Sequence, residues 1–358
     1  MSGYIELASG SSFSGKTSWL LSRLHTLHSD KKKYELLSYD LDSVHLKKSL
    51  LQSHNGDEFM ATTCSSLDSV YDKIKNADIV AIDNAHFFSN VAPFAEKLAN
   101  SGIHVIITAL NSSFDLSPFK NILELIPLVD HFIHLSGGAC QCGSPSNFSK
   151  LLPGVVTPPG QIHPNPKAFE ACCKKCHPNG GSGNLRLFIG PMFAGKTTSM
   201  IQNCRKSKAL GKSVLILKYC NDVRYSCDNH TLYTHDGDSV TAMAIQCLSE
   251  AESTIRSMKP DVVGVDEGQF YSDLNLVKEW SRSGIEVIVA GLSGTFARKS
   301  FGSMMELTGV ADEVYLLKSK CACGSEAPFS KRLVRSDALE LIGGAESYSP
   351  VCRACFFG

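Results

Sequence analysis

The stretch "GPMFAGKT", residues 190–197, decides how the rest of the chain is read. An apolar run, "LRLFI" at 185–189, leads into it, and "KTTSMIQNCRKSKAL" at 196–210 leads out, closed by Gly211. Strand, glycine-rich turn and helix in that order predict a phosphate loop. Its glycines let the backbone wrap so that several N–H groups point inward. Lys196 then offers a positive charge to terminal phosphates and the Thr197 hydroxyl becomes a magnesium ligand. The pattern recurs as "GSSFSGKT" at 10–17, after "YIELA", giving Gly10, Gly15, Lys16 and Thr17 the corresponding places. For this first loop two readings stay open: a nucleotide site, or a turn kept for structure that never meets nucleotide.

Outward from the two loops, the whole sequence repeats. "IHVIITAL" at 103–110 falls on "IEVIVAGL" at 285–292, and "CQCGSPSNFSK" at 140–150 falls on "CACGSEAPFSK" at 321–331. The displacement stays between 180 and 183 residues, which indicates duplication of a whole domain and not a solenoid repeat. The expected division is residues 1–180 and 184–358, through the glycine-rich "HPNGGSGN" at 177–184. Each half alternates continuous apolar runs with helical stretches, in the second half "VLILKY", "VVGVDE" and "IEVIVAGL". That alternation predicts an α/β domain with a parallel sheet covered on both faces. A cysteine-bearing tail of about forty residues closes each half, so the second divides into 184–318 and 319–358.

Asp266 ends the run "VVGVDE", where an aspartate would hold Mg²⁺ through water. Glu267 follows and is placed to face an acceptor hydroxyl as general base; the alternative is a pair of solvated acids at a strand end. In the first half Asp83 survives, but Asn84 stands where Glu267 does, and an amide cannot take a proton. The cysteines cluster as Cys140, Cys142, Cys173 and Cys176, and as Cys321, Cys323, Cys352 and Cys355. Such clusters read as Zn²⁺ ligands in a reducing compartment, with free thiols or a disulfide as alternatives. Two cysteines at i and i+2 need a local bend before both sulfurs reach one ion.

Lysine plus arginine and aspartate plus glutamate number 35 each, which removes the electrostatic case for nucleic acid or an anionic membrane as partner. No apolar run approaches a membrane span, and the first residues lack a signal-peptide pattern, so a cytoplasmic location is expected.

The second half resembles the type II thymidine kinases, the cytosolic and bacterial kind. The carriers are "GPMFAGKT", "DVRYS", "THDG", "VDEGQF", "GTFARKSFG", "SKRL", "LIGGAESY" and "VCRAC", in that order across 185–358. The resemblance implies a P-loop, RecA-like α/β domain followed by a zinc-ribbon-like lasso subdomain. It implies transfer of phosphate from ATP, with Mg²⁺, to the 5′-hydroxyl of thymidine. Glu267 matches the catalytic base, and Arg224 an arginine beside the transferring phosphate. Gly190, Met192, Phe193, Ala194, Gly195, Lys196, Thr197, Thr198, Asp266 and Gln269 match the ATP and metal residues. Met192, Phe270, Leu292, Thr295, Phe296, Phe301, Ser330, Leu339, Leu341, Gly343 and Tyr348 match the nucleoside site. Ser330 replaces a threonine usual in the family, and Cys321-Ala-Cys323 replaces its usual Cys-x-x-Cys, with Lys320 in the first cysteine's place.

The first half resembles a worn copy of the same domain. Arg224 corresponds to Val44, Glu267 to Asn84, Gln269 to His86, and "TFARKSF" to "SFDLSPF". Without base, arginine and lasso, phosphoryl transfer is not expected there. The resemblance implies a four-domain assembly, so two tandem chains are expected to pair, with the inactive half in place of a subunit. dTTP as a feedback ligand is a further expectation. The rivals are a nucleotide-switched zinc-ribbon binding module, which would need a basic aromatic face, and a motor ATPase, which would need an arginine acting across domains.

Overall fold

The computed structural model describes residues 3–28, 32–39, 47–52, 58–157, 168–221, 231–233, 239–335 and 343–358. The chain divides into two compact units, Met1–Asn179 and Gly180–Gly358. In the first, β1 (Tyr4–Gly10), α1 (Lys16–His28), β2 (Tyr34–Tyr39), β3 (Lys47–Gln52) and β4 (Glu58–Cys64) come first. They are followed by α2 (Tyr71–Ile74), β5 (Ile79–Asp83), α3 (Val91–Asn100), β6 (His104–Leu110), α4 (Lys120–Leu125) and β7 (His131–Leu135). The sheet runs β3-β4-β2-β5-β6-β1-β7, parallel throughout except for β3 on the edge. The tail adds a separate antiparallel pair, β8 (Phe148–Leu151) with β9 (Phe169–Cys172).

The second unit repeats this plan. It holds β10 (Leu185–Gly190), α5 (Lys196–Ala209), β11 (Val214–Tyr219), β12 (Thr231–Tyr233), β13 (Ser239–Thr241) and β14 (Met243–Ile245). Then come α6 (Glu252–Met258), β15 (Val262–Val265), α7 (Leu276–Arg282), β16 (Glu286–Leu292) and β17 (Glu313–Leu316). The sheet order is β14-β11-β15-β16-β10-β17, all parallel. Its tail carries β18 (Ser319–Lys320), β19 (Glu326–Ala327), β20 (Phe329–Arg332), β21 (Tyr348–Val351) and α8 (Arg353–Phe357). In both units one strand, β6 or β16, lies between the strand entering the glycine-rich loop and the strand leading to the aspartate. That is the RecA-like arrangement.

Alternation along the strands divides the core in two. On one face Phe188, Ile288 and Ala290 pack with Met200, Ile201 and Cys204 of α5. Leu20, Leu21 and Leu24 of α1 do the same against Ile79, Ala81 and Ile106. Fully burying each of the larger of these side chains, Leu, Ile, Met or Phe, is worth about 1.5–3 kcal/mol, so this face holds each helix against the sheet. Gly211, at φ 82°, closes α5 where the sequence places its end.

The stretch 177–184 is more than a linker. His177 is buried, with Nε2 2.9 Å from the Phe114 carbonyl and Nδ1 accepting the Asn179 amide at 3.0 Å. A Cβ on Gly183 would stand 2.2 Å from the Ile285 carbonyl oxygen, so this glycine is there for close packing.

One buried ion cluster is kept with its signs exchanged. In the first unit Glu6, 2% exposed, takes a two-pronged contact from Arg23 at 2.8–3.1 Å and lies 2.7 Å from His104 Nε2. In the second the same position is Arg186, bonded to Glu313 at 2.8 Å and 3.8 Å from Glu286. Burial pushes the Glu6 carboxyl up, but hydrogen bonds from His104 and Arg23 outweigh it and hold it at about 2. A carboxyl whose folded pKa lies below its unfolded one stabilises above the unfolded value, and that contribution is lost as pH falls through the folded value. Glu6→Gln should therefore lower stability at pH 7 by about 1–3 kcal/mol. The difference from wild type in urea unfolding should shrink by about half by pH 3; a pH-independent difference would refute the assignment.

Candidate functional site

The site lies at the carboxyl ends of β10, β15 and β16. Phe193 and Gly195 adopt left-handed backbone, φ 62° and 75°, which coils the glycine-rich loop back onto the start of α5. Lys196 is buried, with Nζ donating to the Pro191 carbonyl at 2.6 Å across the loop. Thr198 follows Thr197 in the first turn of α5. A Cβ on Gly190 would approach the Leu317 carbonyl oxygen to 2.4 Å, which holds that position to glycine. The Thr197 hydroxyl donates to Asp266 Oδ1 at 2.9 Å, passing over the end of β16. This bond ties loop to acidic strand, and Asp266 is 3% exposed.

β15 ends at Val265, and Glu267 turns left-handed at φ 53°, ψ 44°. An L-residue other than glycine or asparagine is held there at a cost of about 1–2 kcal/mol. The turn aims the carboxylate back toward Gln269, whose amide Nε2 donates to Glu267 Oε2 at 2.5 Å. Gln269 Oε1 in turn accepts the Leu292 amide at 2.9 Å. Gln269, grouped by sequence with the nucleotide residues, is thus placed as a strut between β16 and the acid. Cβ atoms on Gly291 or Gly302 would come within 2.9 and 2.7 Å of it, so the strut has no slack.

Aromatic residues line the same edge. Phe270 stacks on Tyr219 with centroids 5.0 Å apart and meets Phe301 edge-on at 5.6 Å. The Arg332 guanidinium lies 3.7 Å over the Phe296 ring and donates to the Tyr348 hydroxyl at 2.8 Å. Ser330 Oγ accepts the Met192 amide at 2.9 Å, which fastens the tail onto the loop. The Thr295 hydroxyl accepts from the Ala297 and Lys299 amides at 3.3 and 3.2 Å and braces its own turn. Tyr219 and Arg332 were not singled out from the sequence. Arg332 lies inside the quoted "SKRL", and Tyr219 carries no signal beyond ending an apolar run. Gly343 is described, close against Ser347; Arg224, Leu339 and Leu341 lie outside the described residues.

The first unit keeps the frame and loses the acid. Phe13 and Gly15 are left-handed at φ 62° and 78°, and Lys16 Nζ donates to the Ser11 carbonyl at 2.6 Å. Thr17 donates to Asp83 at 3.1 Å and Ser12 N to Ser149 Oγ at 2.8 Å. Asn84 has the backbone of Glu267, φ 55°, ψ 43°. His86 takes the place of Gln269, its Nδ1 accepting the Leu110 amide at 3.3 Å. Burial, and then Lys16 nearby, push His86 down to about 3, so it stays neutral and can accept that bond. Burial pushes Lys16 down to about 8 against the pull of Asp83, and burial pushes Asp83 up.

Each tail gathers four thiols whose sulfurs lie within 4.8 Å of one another. The bend that Cys-x-Cys requires comes from a tight turn: Gly143 N donates to Cys140 O at 2.8 Å and Gly324 N to Cys321 O at 2.9 Å. Gly143 and Gly324 are left-handed at φ 86° and 88°. The Cys142–Cys173 and Cys323–Cys352 sulfurs are 3.4 and 3.6 Å apart. That is far beyond a disulfide and near the ~3.8 Å edge of a tetrahedron with about 2.3 Å metal–sulfur bonds. Ser144 and Ser325, through hydroxyl and amide, hold Cys142 and Cys323 down at about 6, which favours the thiolate a metal needs. Both clusters could hold zinc.

Among the described residues no helix is long and apolar enough to cross a membrane. The thymidine kinase family model matches residues 3–177 and again 183–356. Thymidine kinase 1 of Dictyostelium discoideum is 38% identical over 179 residues, 49% of this chain and 78% of that protein. The thymidine kinase of Yaba monkey tumor virus is 38% identical over 181 residues, 50% and 97% of the two chains. The cytosolic thymidine kinase of Cricetulus griseus is 36% identical over 182 residues, 50% and 76%. With both halves matched and the relatives each spanning about half its length, the chain belongs to the thymidine kinase family and carries the family's domain twice.

Proposed function

We propose that the second half, 184–358, phosphorylates the 5′-hydroxyl of thymidine with ATP, and that the first half, 1–180, performs no transfer. One observation carries this reading: the acid Glu267, braced by Gln269, stands beside the Thr197–Asp266 bridge in the second half, while the first half presents an amide on the same backbone. The loop 190–197 and Lys196 take the triphosphate, and Thr197 and Asp266 supply oxygens suited to Mg²⁺. That ion would neutralise charge on the phosphates. Phe270, Phe301 and Leu292 offer apolar faces to a flat base; Ser330, Phe296, Thr295, Met192, Tyr348 and Gly343 are assigned to the same nucleoside site, and the resemblance assigns Leu339 and Leu341 to it as well.

In the transfer the 5′-oxygen forms a bond to the γ-phosphorus and the bond from that phosphorus to the β,γ-bridging oxygen breaks, leaving ADP. Glu267 takes the hydroxyl proton. Arg224 is assigned to the charge on the transferring group. The first half serves as a structural or regulatory partner, two chains supplying four domains, with dTTP as a feedback ligand and the cytoplasm as the location.

The exchange that the chain itself made tests the base. Glu267→Asn should lower thymidine phosphorylation by about 10²–10⁴-fold. Because asparagine suits left-handed backbone, the melting temperature should hold or rise by up to about 2 °C. Retained turnover would sink the assignment, and a fall of more than about 4 °C would make Glu267 a structural residue. Each cysteine cluster is assigned one Zn²⁺, so native protein should yield about two zinc ions per chain by elemental analysis and Cys355→Ser about one. A value near zero for freshly purified native protein would refute the assignment.

A further inference from the structure

Asp83 is heavily engaged by its own protein. It is 1% exposed and accepts hydrogen bonds from Thr17 at 3.1 Å and Asn84 Nδ2 at 3.2 Å on Oδ2, and from Thr108 Oγ1 at 2.5 Å on Oδ1. A carboxylate has about four acceptor positions, and the Asn84 backbone amide adds a further donor. The Thr17 bond is common to both halves and is compatible with a metal, because that hydroxyl can ligate through oxygen while donating its hydrogen. The other two side-chain donors are particular to the first half.

Register identifies their counterparts. Thr108 pairs with Ala8 two positions before the end of the β1–β6 ladder, and Ala290 pairs with Phe188 two positions before the end of the β10–β16 ladder. Asn84 and Glu267 share one left-handed conformation after their aspartates. At both places the second half has a group that cannot donate: alanine has no polar atom, and an ionised glutamate only accepts. Mg²⁺ keeps its waters and reaches such aspartates through them, so it needs the carboxylate positions that Thr108 and Asn84 occupy. The residues of the first half do not fit the ion.

The anion cradle beside Asp83 is nevertheless intact. The loop's left-handed residues are at φ 62° and 78°, against 62° and 75° in the second half, and both lysines reach across their loops at 2.6 Å. The Ser14 hydroxyl is buried within the loop with no hydrogen-bond partner among the described residues. Inward amides and an ammonium recognise phosphate without help from a metal.

We propose that the first half is a metal-independent site for a nucleotide polyphosphate, and that Thr108 and Asn84 are the residues that exclude the magnesium. It rests on the proposed function only in reading both loops as phosphate loops, and binding is measured apart from turnover. In the full-length chain carrying Lys196→Ala, titration with the fluorescent analogue mant-ATP should show saturable binding. Its Kd should agree within about twofold between excess EDTA and excess Mg²⁺, and adding Lys16→Ala should abolish the binding. Adding Thr108→Ala and Asn84→Glu instead, the residues the other half uses, should make Mg²⁺ tighten binding about tenfold or more. Reciprocally, Ala290→Thr in a Lys16→Ala chain should weaken the Mg²⁺ dependence of mant-ATP binding at the second site. Absence of binding in the Lys196→Ala chain would overturn the proposal. So would a tenfold Mg²⁺ effect with Thr108 in place, or no Mg²⁺ response after both exchanges; Ala290→Thr keeps the exclusion testable should the double variant not fold.

Discussion

Both halves are organised by a hydrogen bond from a helix-start threonine to an aspartate two strands away. Thr197 reaches Asp266 at 2.9 Å and Thr17 reaches Asp83 at 3.1 Å. The contact exists only because the sheet is parallel, with one strand between the two partners, so that the carboxyl ends of all three strands stand at one edge. Shifting any strand by one residue would turn its last side chain to the other face and break the bridge. The buried apolar packing under α1 and α5 therefore secures this alignment, and the alignment secures the site.

The residue after each aspartate shows how one backbone serves two ends. Both halves turn left-handed there, with φ of 55° at Asn84 and 53° at Glu267. Asparagine settles into that conformation, whereas glutamate is held in it by Gln269 and by the packing around it. The second half retains strain to aim a carboxylate; the first half has relaxed it and directs the amide onto Asp83 at 3.2 Å. The same frame thus holds a carboxylate against Gln269 in one copy and an amide against Asp83 in the other.

Much of this was legible from letters alone. The glycine-rich loops, the strand runs and the repeat gave the architecture because each depends on local spacing. The change from Glu267 to Asn84 was visible because it alters chemistry at a motif. The partners of those residues were hidden. Thr108 is an unremarked letter in an apolar strand until the sheet brings its hydroxyl to Asp83. The change from Gln269 to His86 read as a loss, yet His86 takes over the bond from the strand-end amide through a neutral ring nitrogen. Gly181 and Gly183 read as part of a linker because the sequence does not show that Arg282 and Ile285 crowd against them. The bend in each Cys-x-Cys pair was required by geometry, but the glycine after it, left-handed at φ 86° and 88°, supplied it.

Two similar frames share one chain, and the proposed function places the chemistry in one of them. Transfer of labelled phosphate from ATP to thymidine, measured on full-length Lys16→Ala and Lys196→Ala chains, tests it most directly. Lys196→Ala should lose at least about a hundredfold in kcat/KM, some 2.7 kcal/mol of transition-state stabilisation. Lys16→Ala should retain kcat within about threefold. Loss of turnover in Lys16→Ala, or its survival in Lys196→Ala, would contradict the account.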